Sequence, residues 1–301
     1  MSHKISELWN SLSDELFAQV DDDFVDSFRM PGGANNRLAA WDPFDATMRY
    51  YKFILFEAAR HRPESFYDLY RRLGDTNVGN PVSVKVKNLN INLDYLFSVD
   101  EFLFLDSAMD TRSIDNVIEI GAGFGRTCHA LTRLLPRLNS YTIIDLPQLL
   151  RLSRAVLTRT VPDQIDKISF VDATDEDAWH GLESDLIINI DSFQEIPPQT
   201  IDNYYEHIIR NARAFYVKNP IGKYAPESVG AGTPQDPARL QDVFSLGYCR
   251  DVIDIFDEDA LLPARAEFVA AYAPGPDWRT AAQAPMELVP YYHNTLYLRD
   301  A

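Results

Sequence analysis

The chain has 301 residues, a formal net charge of −17 at pH 7, and a composition that is 46% hydrophobic and 12% aromatic. This apolar content suffices for a packed core and excludes a disordered chain, while the negative charge, with no localised basic patch against it, argues against a nucleic-acid partner. No apolar run approaches the ~20 residues that span a bilayer and the first residues lack a signal-peptide pattern, so we expect a cytoplasmic protein without a membrane partner.

Residues 1–110 predict a helical extension. Helical patterns cover Ser6–Val20 and Ala46–Arg60, and the second has an apolar face formed by Tyr50, Tyr51, Ile54, Leu55 and Ala58. The segment Gly74–Asn92, with alternating valines, predicts loops and a short hairpin-like or edge strand. We expect this extension to act as a lid, to contact a substrate, or to form the interface of a homodimer.

Three glycines follow the next predicted strand, residues 115–120. Gly121, Gly123 and Gly125 are spaced two apart and precede a helical pattern over Thr127–Leu138. Glycines allow a sharp turn and a ligand lying against bare backbone, and the helix beyond them offers unpaired N–H groups. The dinucleotide fingerprint is excluded because its third glycine would fall at Arg126.

Acidic residues end the next two predicted strands. Asp145 follows the strand at 140–144, about 20 residues after the glycines, where a carboxylate is placed to bind a ribose diol. The alternative is that Asp145 caps the following helix, which has Pro147 in its first turn. The strand at 167–171 ends in Asp172 and Ala173.

The second half of the chain alternates strands and helices, which predicts a parallel sheet covered on both faces. A helix is predicted over 147–159, residues 257–290 are predicted to connect the last two strands, and Ala225–Pro237 is predicted to be a flexible loop. The remaining predicted strands are 185–190, 213–218, 249–256 and 294–299.

Polar residues gather where two of these strands end. The strand at 185–190 is followed by Asp191, Ser192, Gln194 and Glu195, and it contains Asn189. Ligands of open α/β sheets bind at this edge, so we interpret the cluster as a substrate site; a self-satisfied loop is the alternative. Lys218, at the end of the next strand, either meets a substrate anion or forms a structural salt bridge.

The motif from Glu119 to Gly125 resembles motif I of the class I S-adenosylmethionine-dependent methyltransferases. Together with Asp145-Leu-Pro, the 189–195 segment and Lys218-Asn-Pro, it is similar to the sugar O-methyltransferase family of bacterial specialised metabolism, and the resemblance covers most of the chain. It implies an α/β fold with a Rossmann-like seven-stranded sheet, whose last strand is antiparallel beside the sixth. The implied domains are the extension at 1–110 and an S-adenosylmethionine-binding domain at 111–301.

The resemblance also implies a set of cofactor-binding residues and a small-molecule methyl acceptor. Asp172 corresponds to the acid that contacts the adenine amino group. The product of the cofactor is S-adenosylhomocysteine, and no metal is required. The cofactor-binding set is Glu119, Gly121, Gly123, Gly125, Arg126, Asp145, Leu146, Asp172, Ala173 and Asn189.

Methylation of a sugar hydroxyl needs a base, and the candidates are Asp191, Glu195, His129, His207 and His293. We rank the two carboxylates above His129 and His207. The same two carboxylates support an alternative, because paired carboxylates also grip a guanidinium. N-methylation of free arginine or another amino compound is therefore a second hypothesis. A third is a catalytically idle cofactor-binding or dimer-scaffold protein, against which the intact glycines argue.

Overall fold

A computed structural model describes residues 20–29, 48–224 and 237–300 of the chain. Residues 6–19 of the first predicted helix and residues 225–236 of the predicted loop lie outside this description. Within the described part, no helix is both long and apolar enough to cross a membrane. The α-helices there are α1 (Asp22–Ser27), α2 (Met48–Arg60), α3 (Glu64–Leu73), α4 (Leu93–Ala108), α5 (Arg126–Leu134), α6 (Pro147–Thr160), α7 (Glu176–Trp179), α8 (Pro198–His207), α9 (Pro237–Phe244) and α10 (Glu258–Ala271).

Seven strands form the main sheet in the order β10-β11-β7-β6-β3-β4-β5. β3 pairs with β6 and β6 with β7 in parallel, whereas β11 is antiparallel to both β7 and β10. The α/β fold class with a seven-stranded sheet and the antiparallel last strand beside the sixth strand of the sheet are confirmed. The strands are β1 (Ser83–Val86), β2 (Leu89–Asn92), β3 (Asn116–Ile120), β4 (Ser140–Asp145), β5 (Ile168–Asp172), β6 (Leu186–Ile190), β7 (Ala214–Pro220), β8 (Lys223–Tyr224), β9 (Val252–Ile253), β10 (Trp278–Pro285) and β11 (Tyr292–Arg299).

The prediction of the sixth strand of the sheet at 249–256 is wrong. Only Val252–Ile253 is extended there, and it pairs with Lys223–Tyr224 outside the main sheet. The sixth strand is β10, inside the stretch predicted as a connection. Six of its eight residues are half-buried or exposed alanine, arginine, threonine or glutamine, as suits a sheet edge, so no apolar alternation indicated a strand.

The chain forms two compact units. Among the described residues, the amino-terminal unit comprises 20–114 and 122–170, and the carboxyl-terminal unit comprises 115–121 and 171–300. In the part of the chain that the structure describes, the backbone passes between the units after Ile114, after Gly121 and after Phe170. The predicted domains at 1–110 and 111–301 stay predictions.

In the amino-terminal unit, the predicted hairpin forms between β1 and β2, which pair antiparallel. Helix α2 buries a narrower face than expected, since Tyr51, Leu55 and Ala59 are buried while Ile54 is 46% exposed. Residues spaced four apart lie on one stripe of a helix, and Ile54 falls beside that stripe. Helix α4 begins at Leu93 and is capped by the preceding Asn92, whose side chain accepts a hydrogen bond from the Tyr95 N–H.

The carboxyl-terminal unit has an aromatic core. Phe193, Tyr204, Phe215 and Tyr272 are each at most 2% exposed, and the ring of Phe193 contacts the rings of the other three. Trp179 is fully buried, and its indole N–H donates to the carbonyl of Ala173. Trp179 thus contacts the residue that follows β5, and Phe193 lies three residues after the end of β6.

Candidate functional site

The three glycines are required for different reasons. All have left-handed backbones, with φ of +77° at Gly121, +59° at Gly123 and +87° at Gly125. A Cβ on Gly121 would lie 2.2 Å from the Ser192 Oγ, and one on Gly125 would lie 2.9 Å from a methyl of Leu157. A Cβ on Gly123 meets no described atom within 4 Å. Packing therefore demands the outer glycines, whereas the middle one faces open space that a ligand can fill.

Asp145 lies at the end of β4 and holds the glycine turn. Its Oδ2 accepts the Gly123 N–H at 2.9 Å, and its Oδ1 accepts the Leu146 N–H at 2.8 Å. Burial raises the pKa of this carboxyl to about 7, although the backbone donors oppose the shift. Helix α6 begins without a side-chain cap, so the capping alternative is not supported. The ribose contact stays a prediction, and Asp145 has a structural role that the sequence did not indicate.

Arg126 is the first residue of α5, but its side chain turns towards α4. The guanidinium forms an ion pair with Glu101 at 2.7 and 3.0 Å and donates to the Ser98 Oγ and the Asp94 carbonyl. Only 4% of the residue is exposed. The predicted cofactor contact through this side chain is not supported, because a buried ion pair already occupies it.

Asn189 is fully buried, and its side-chain amide is saturated. The amide nitrogen donates to the Ile120 carbonyl and the Ser192 Oγ, and the amide oxygen accepts from Asn219 Nδ2 and the Phe193 N–H. A cofactor contact through this side chain is likewise not supported. Instead, Asn189 links the carboxyl ends of β3, β6 and β7, and Ser192, which also donates to the Ile120 carbonyl, closes the network beside Gly121.

The other predicted cofactor residues are ordered around strand ends. Asp172 ends β5, and its Oδ1 accepts from the Thr174 N–H and hydroxyl, at 2.8 and 2.7 Å. Ala173 and Leu146 are buried, and Glu119 is buried within β3 with 2% exposed. Their cofactor contacts stay predictions.

Asp191 adopts an unusual backbone for a residue with a side chain. Its φ is +63°, and its N–H donates to the Lys218 carbonyl. A Tyr292 hydroxyl donates to its Oδ1 at 2.8 Å. Strain of this kind costs on the order of 1 kcal/mol and persists where surrounding contacts fix it. A short 3₁₀ helix, Phe193–Glu195, begins two residues after Asp191, and Glu195 at its end is half-buried.

Lys223 is a charged residue of this region that sequence reasoning missed. It is 5% exposed, and its ammonium donates to the Gln194 carbonyl at 2.9 Å. Burial lowers its pKa to about 8, whereas the negative charges of Glu195 and Asp191 act to raise it. Its place after a proline and a glycine gave no indication that it would be buried beside these carboxylates.

The three candidate histidines lie against other polar or aromatic groups. His129 is fully buried in α5 between the Tyr95 hydroxyl, at 2.6 Å, and the Leu73 carbonyl, at 2.8 Å. Burial lowers its pKa to about 4. His207 stacks on His180 with ring centroids 3.8 Å apart, and His293 contacts Gln283. Among the described residues, no group of His, Cys, Asp or Glu is arranged to hold a metal.

The chain matches no protein-family model and no curated protein. Solved structures similar to it include a mitomycin 7-O-methyltransferase, at 14% identity over 78% of this chain and 66% of that chain, with a TM-score of 0.45. A glycopeptide N-methyltransferase complexed with S-adenosylmethionine has 14% identity over 68% and 87% of the two chains, with a TM-score of 0.43. Human N-acetylserotonin methyltransferase, also complexed with S-adenosylmethionine, has 14% identity over 69% and 54%, with a TM-score of 0.43.

The chain thus spans less than two thirds of the length of the mitomycin and human enzymes. At these identities and TM-scores the likenesses carry nothing about acceptor or partner. The strand order and the antiparallel β11 are what define the fold.

Proposed function

We propose that this protein is an S-adenosylmethionine-dependent methyltransferase that methylates a hydroxyl group of a small polar molecule, with a sugar hydroxyl as the favoured acceptor. The observation that carries the proposal is the left-handed Gly123, whose missing side chain leaves open space next to the buried carboxylate of Asp145. A turn of this kind after the first strand of a methyltransferase sheet accommodates a cofactor against bare backbone. When bound, S-adenosylmethionine supplies an electrophilic methyl group.

Several residues of this chain fit the cofactor. The N–H groups that begin α5 and the open side of Gly123 suit its amino-acid end, and Asp145 and Asp172 suit its hydroxyl and amino donors. Gly121 and Gly125 hold the turn through packing instead. S-adenosylhomocysteine is then the product that the same residues release.

Asp191 is the proposed base. A hydroxyl is a weak nucleophile while it holds its proton, and Asp191 takes that proton as the oxygen attacks. The hydrogen bond from Tyr292 orients the carboxylate, and the left-handed backbone fixes where it projects. Glu195 is the proposed anchor for a second hydroxyl of the acceptor.

The charge around these residues favours a hydroxyl over a cationic nitrogen. A guanidinium clamp requires carboxylates whose negative charge is not yet balanced. The buried ammonium of Lys223 already interacts with the charges of both Glu195 and Asp191. A second cation would be repelled by Lys223, so N-methylation of arginine is the less favoured alternative.

The cofactor part of the proposal is tested with S-adenosylhomocysteine. Wild-type protein should bind it with a dissociation constant in the micromolar range or below, about −8 kcal/mol. Gly123→Val should abolish that binding because the side chain fills the open space, and Gly125→Ala, which meets Leu157, should chiefly lower the melting temperature. Calorimetry showing equal affinity for wild type and Gly123→Val would refute this cofactor site.

The acceptor part is tested by incubating the protein with S-adenosylmethionine and pooled sugar-bearing compounds, then with pooled guanidino and amino compounds. Mass spectrometry detects the gain of one methyl group. We expect products in the first pool. Methylation confined to the second pool would overturn the hydroxyl assignment in favour of the alternative.

A further inference from the structure

We infer that Arg29 is a positioning residue for the cofactor: through the ring of Phe124 it holds the glycine turn in the shape that binds. Phe124 stands between Gly123 and Gly125 and is 4% exposed. The Arg29 guanidinium carbon lies 4.9 Å from the centre of this ring. The inference rests on the proposed function, since it assigns the turn a cofactor to bind.

Every donor of the Arg29 side chain has an acceptor. Nε and Nη2 donate to Asp94, Nη2 donates also to Asn92, and Nη1 donates to the carbonyls of Thr76 and Val78. A guanidinium has five N–H donors in a rigid plane, and here five hydrogen bonds fix that plane. The position of Arg29 is therefore set by the hairpin region and the start of α4, independently of Phe124.

The fixed guanidinium plane of Arg29 lies over the ring of Phe124 in the glycine turn. Its contact with Phe124 is a cation–π interaction, which is stronger when the two groups are shielded from water, as they are here. Phe28, the preceding residue, packs edge-to-face on the same ring at 5.4 Å. Gly79 admits this arrangement, because a Cβ there would lie 2.4 Å from the Phe28 ring.

The glycines on either side of Phe124 make this contact important for binding. Glycine has the widest conformational freedom of any residue, so a turn with a glycine on each side of one aromatic ring has many alternatives to its binding shape. Anchoring Phe124 removes most of them. Preorganisation of this kind raises affinity without adding a contact to the ligand.

The test is a double-mutant cycle on the full chain, with S-adenosylhomocysteine as the probe and calorimetry well below the melting temperature. Arg29→Met should weaken binding at least tenfold, and Arg29→Lys should weaken it similarly because an ammonium has no plane. Phe124→Leu should also weaken binding. The combined Arg29→Met and Phe124→Leu variant should lose little more than either alone, since both remove one interaction.

Arg62→Met is the matched control. Arg62 is a half-buried arginine of the amino-terminal unit, paired with Asp100 and placed 5.8 Å from the Phe66 ring. Its replacement should lower the melting temperature and leave the affinity within twofold. Its effect should add to that of Phe124→Leu.

Two results would contradict this inference, and a third would contradict the proposed function. Arg29→Met that is folded and binds within twofold of wild type overturns the inference, as does full additivity with Phe124→Leu. If Arg29→Met does not fold, the same criteria apply to Arg29→Lys. Wild-type protein that binds no S-adenosylhomocysteine refutes the proposed function itself, which the variants cannot do.

Discussion

At the scale of single residues, burial of a carboxylate in the glycine turn has a consequence for pH. The pKa of Asp145 is raised to about 7 chiefly by desolvation. An acid whose folded pKa is raised binds its proton more tightly in the folded state, so this group lowers the stability of the protein without ligand as pH rises from about 4 to about 7. Ribose hydroxyls donate hydrogen bonds, and they prefer the ionised form.

We therefore expect the affinity for S-adenosylhomocysteine to rise with pH. It should be about tenfold weaker at pH 6 than at pH 8, because the proton must leave Asp145 on binding. Calorimetry across this range measures the slope. Asp145→Asn should remove the pH dependence of the affinity while keeping the side-chain volume. Asparagine is preferred to alanine because Asp145→Ala would also leave the Gly123 N–H without its acceptor. A wild-type affinity independent of pH would show that Asp145 only holds the turn.

A second residue-scale prediction concerns the proposed base. Asp191→Asn removes the proposed base and should lower kcat by about 10²–10⁴. Glu195→Gln removes the proposed anchor and should lower kcat by less. Tyr292→Phe should lower kcat less than Asp191→Asn does, with KM nearly unchanged, because it releases the carboxylate without removing it. Steady-state kinetics on whichever acceptor is methylated supply the comparison. If all three variants stay within a few-fold of wild type, the 191–195 segment is structural.

At the scale of secondary-structure elements, the sequence indicated those strands that bury apolar side chains. β3, β4, β6 and β11 are largely or wholly buried, and their apolar runs predicted them to within two residues. β10 was not predicted because an edge strand need not bury a run of apolar side chains. Helix α10 escaped because it contains Pro263, which normally argues against a helix interior.

The sequence did not predict which partners the long polar side chains contact. Arg126 and Asn189 occupy the expected positions at strand and helix ends, yet each is saturated by partners distant in sequence. Arg126 meets Glu101, and Asn189 meets Asn219. Lys223 shows the converse, since only the folded chain brings its ammonium beside Glu195. Identifying a strand end is thus easier than identifying which of its side chains is available.

At the scale of the whole molecule, the contacts of α5 connect the predicted extension to the predicted cofactor domain within one unit. Arg126 pairs with Glu101, His129 lies between Tyr95 and the Leu73 carbonyl, and Arg72 donates to the carbonyl of Leu134. Without residues 1–110, a buried arginine and a buried histidine would lose their partners. Unpaired buried charge is strongly destabilising.

A fragment comprising residues 111–301 is therefore expected not to fold stably by itself. Circular dichroism and heat denaturation of the fragment, with the full chain as control, measure this. Co-expression with a separate 1–110 fragment should restore binding of S-adenosylhomocysteine. A fragment that melts cooperatively near the temperature of the full chain would support an independent domain beginning at 111, and homodimer formation can be followed on the same samples by light scattering.

The hydrogen bond between Trp179 and the Ala173 carbonyl gives the molecule an optical probe. The indole is wholly buried, and its partner directly follows Asp172, the residue that we expect to meet adenine. Occupation of that strand end should perturb the emission of this tryptophan. Titration with adenosine alone should reproduce the change, and Trp179→Phe should abolish it. The fluorescence of this one tryptophan would then report binding of the adenosine end of the cofactor.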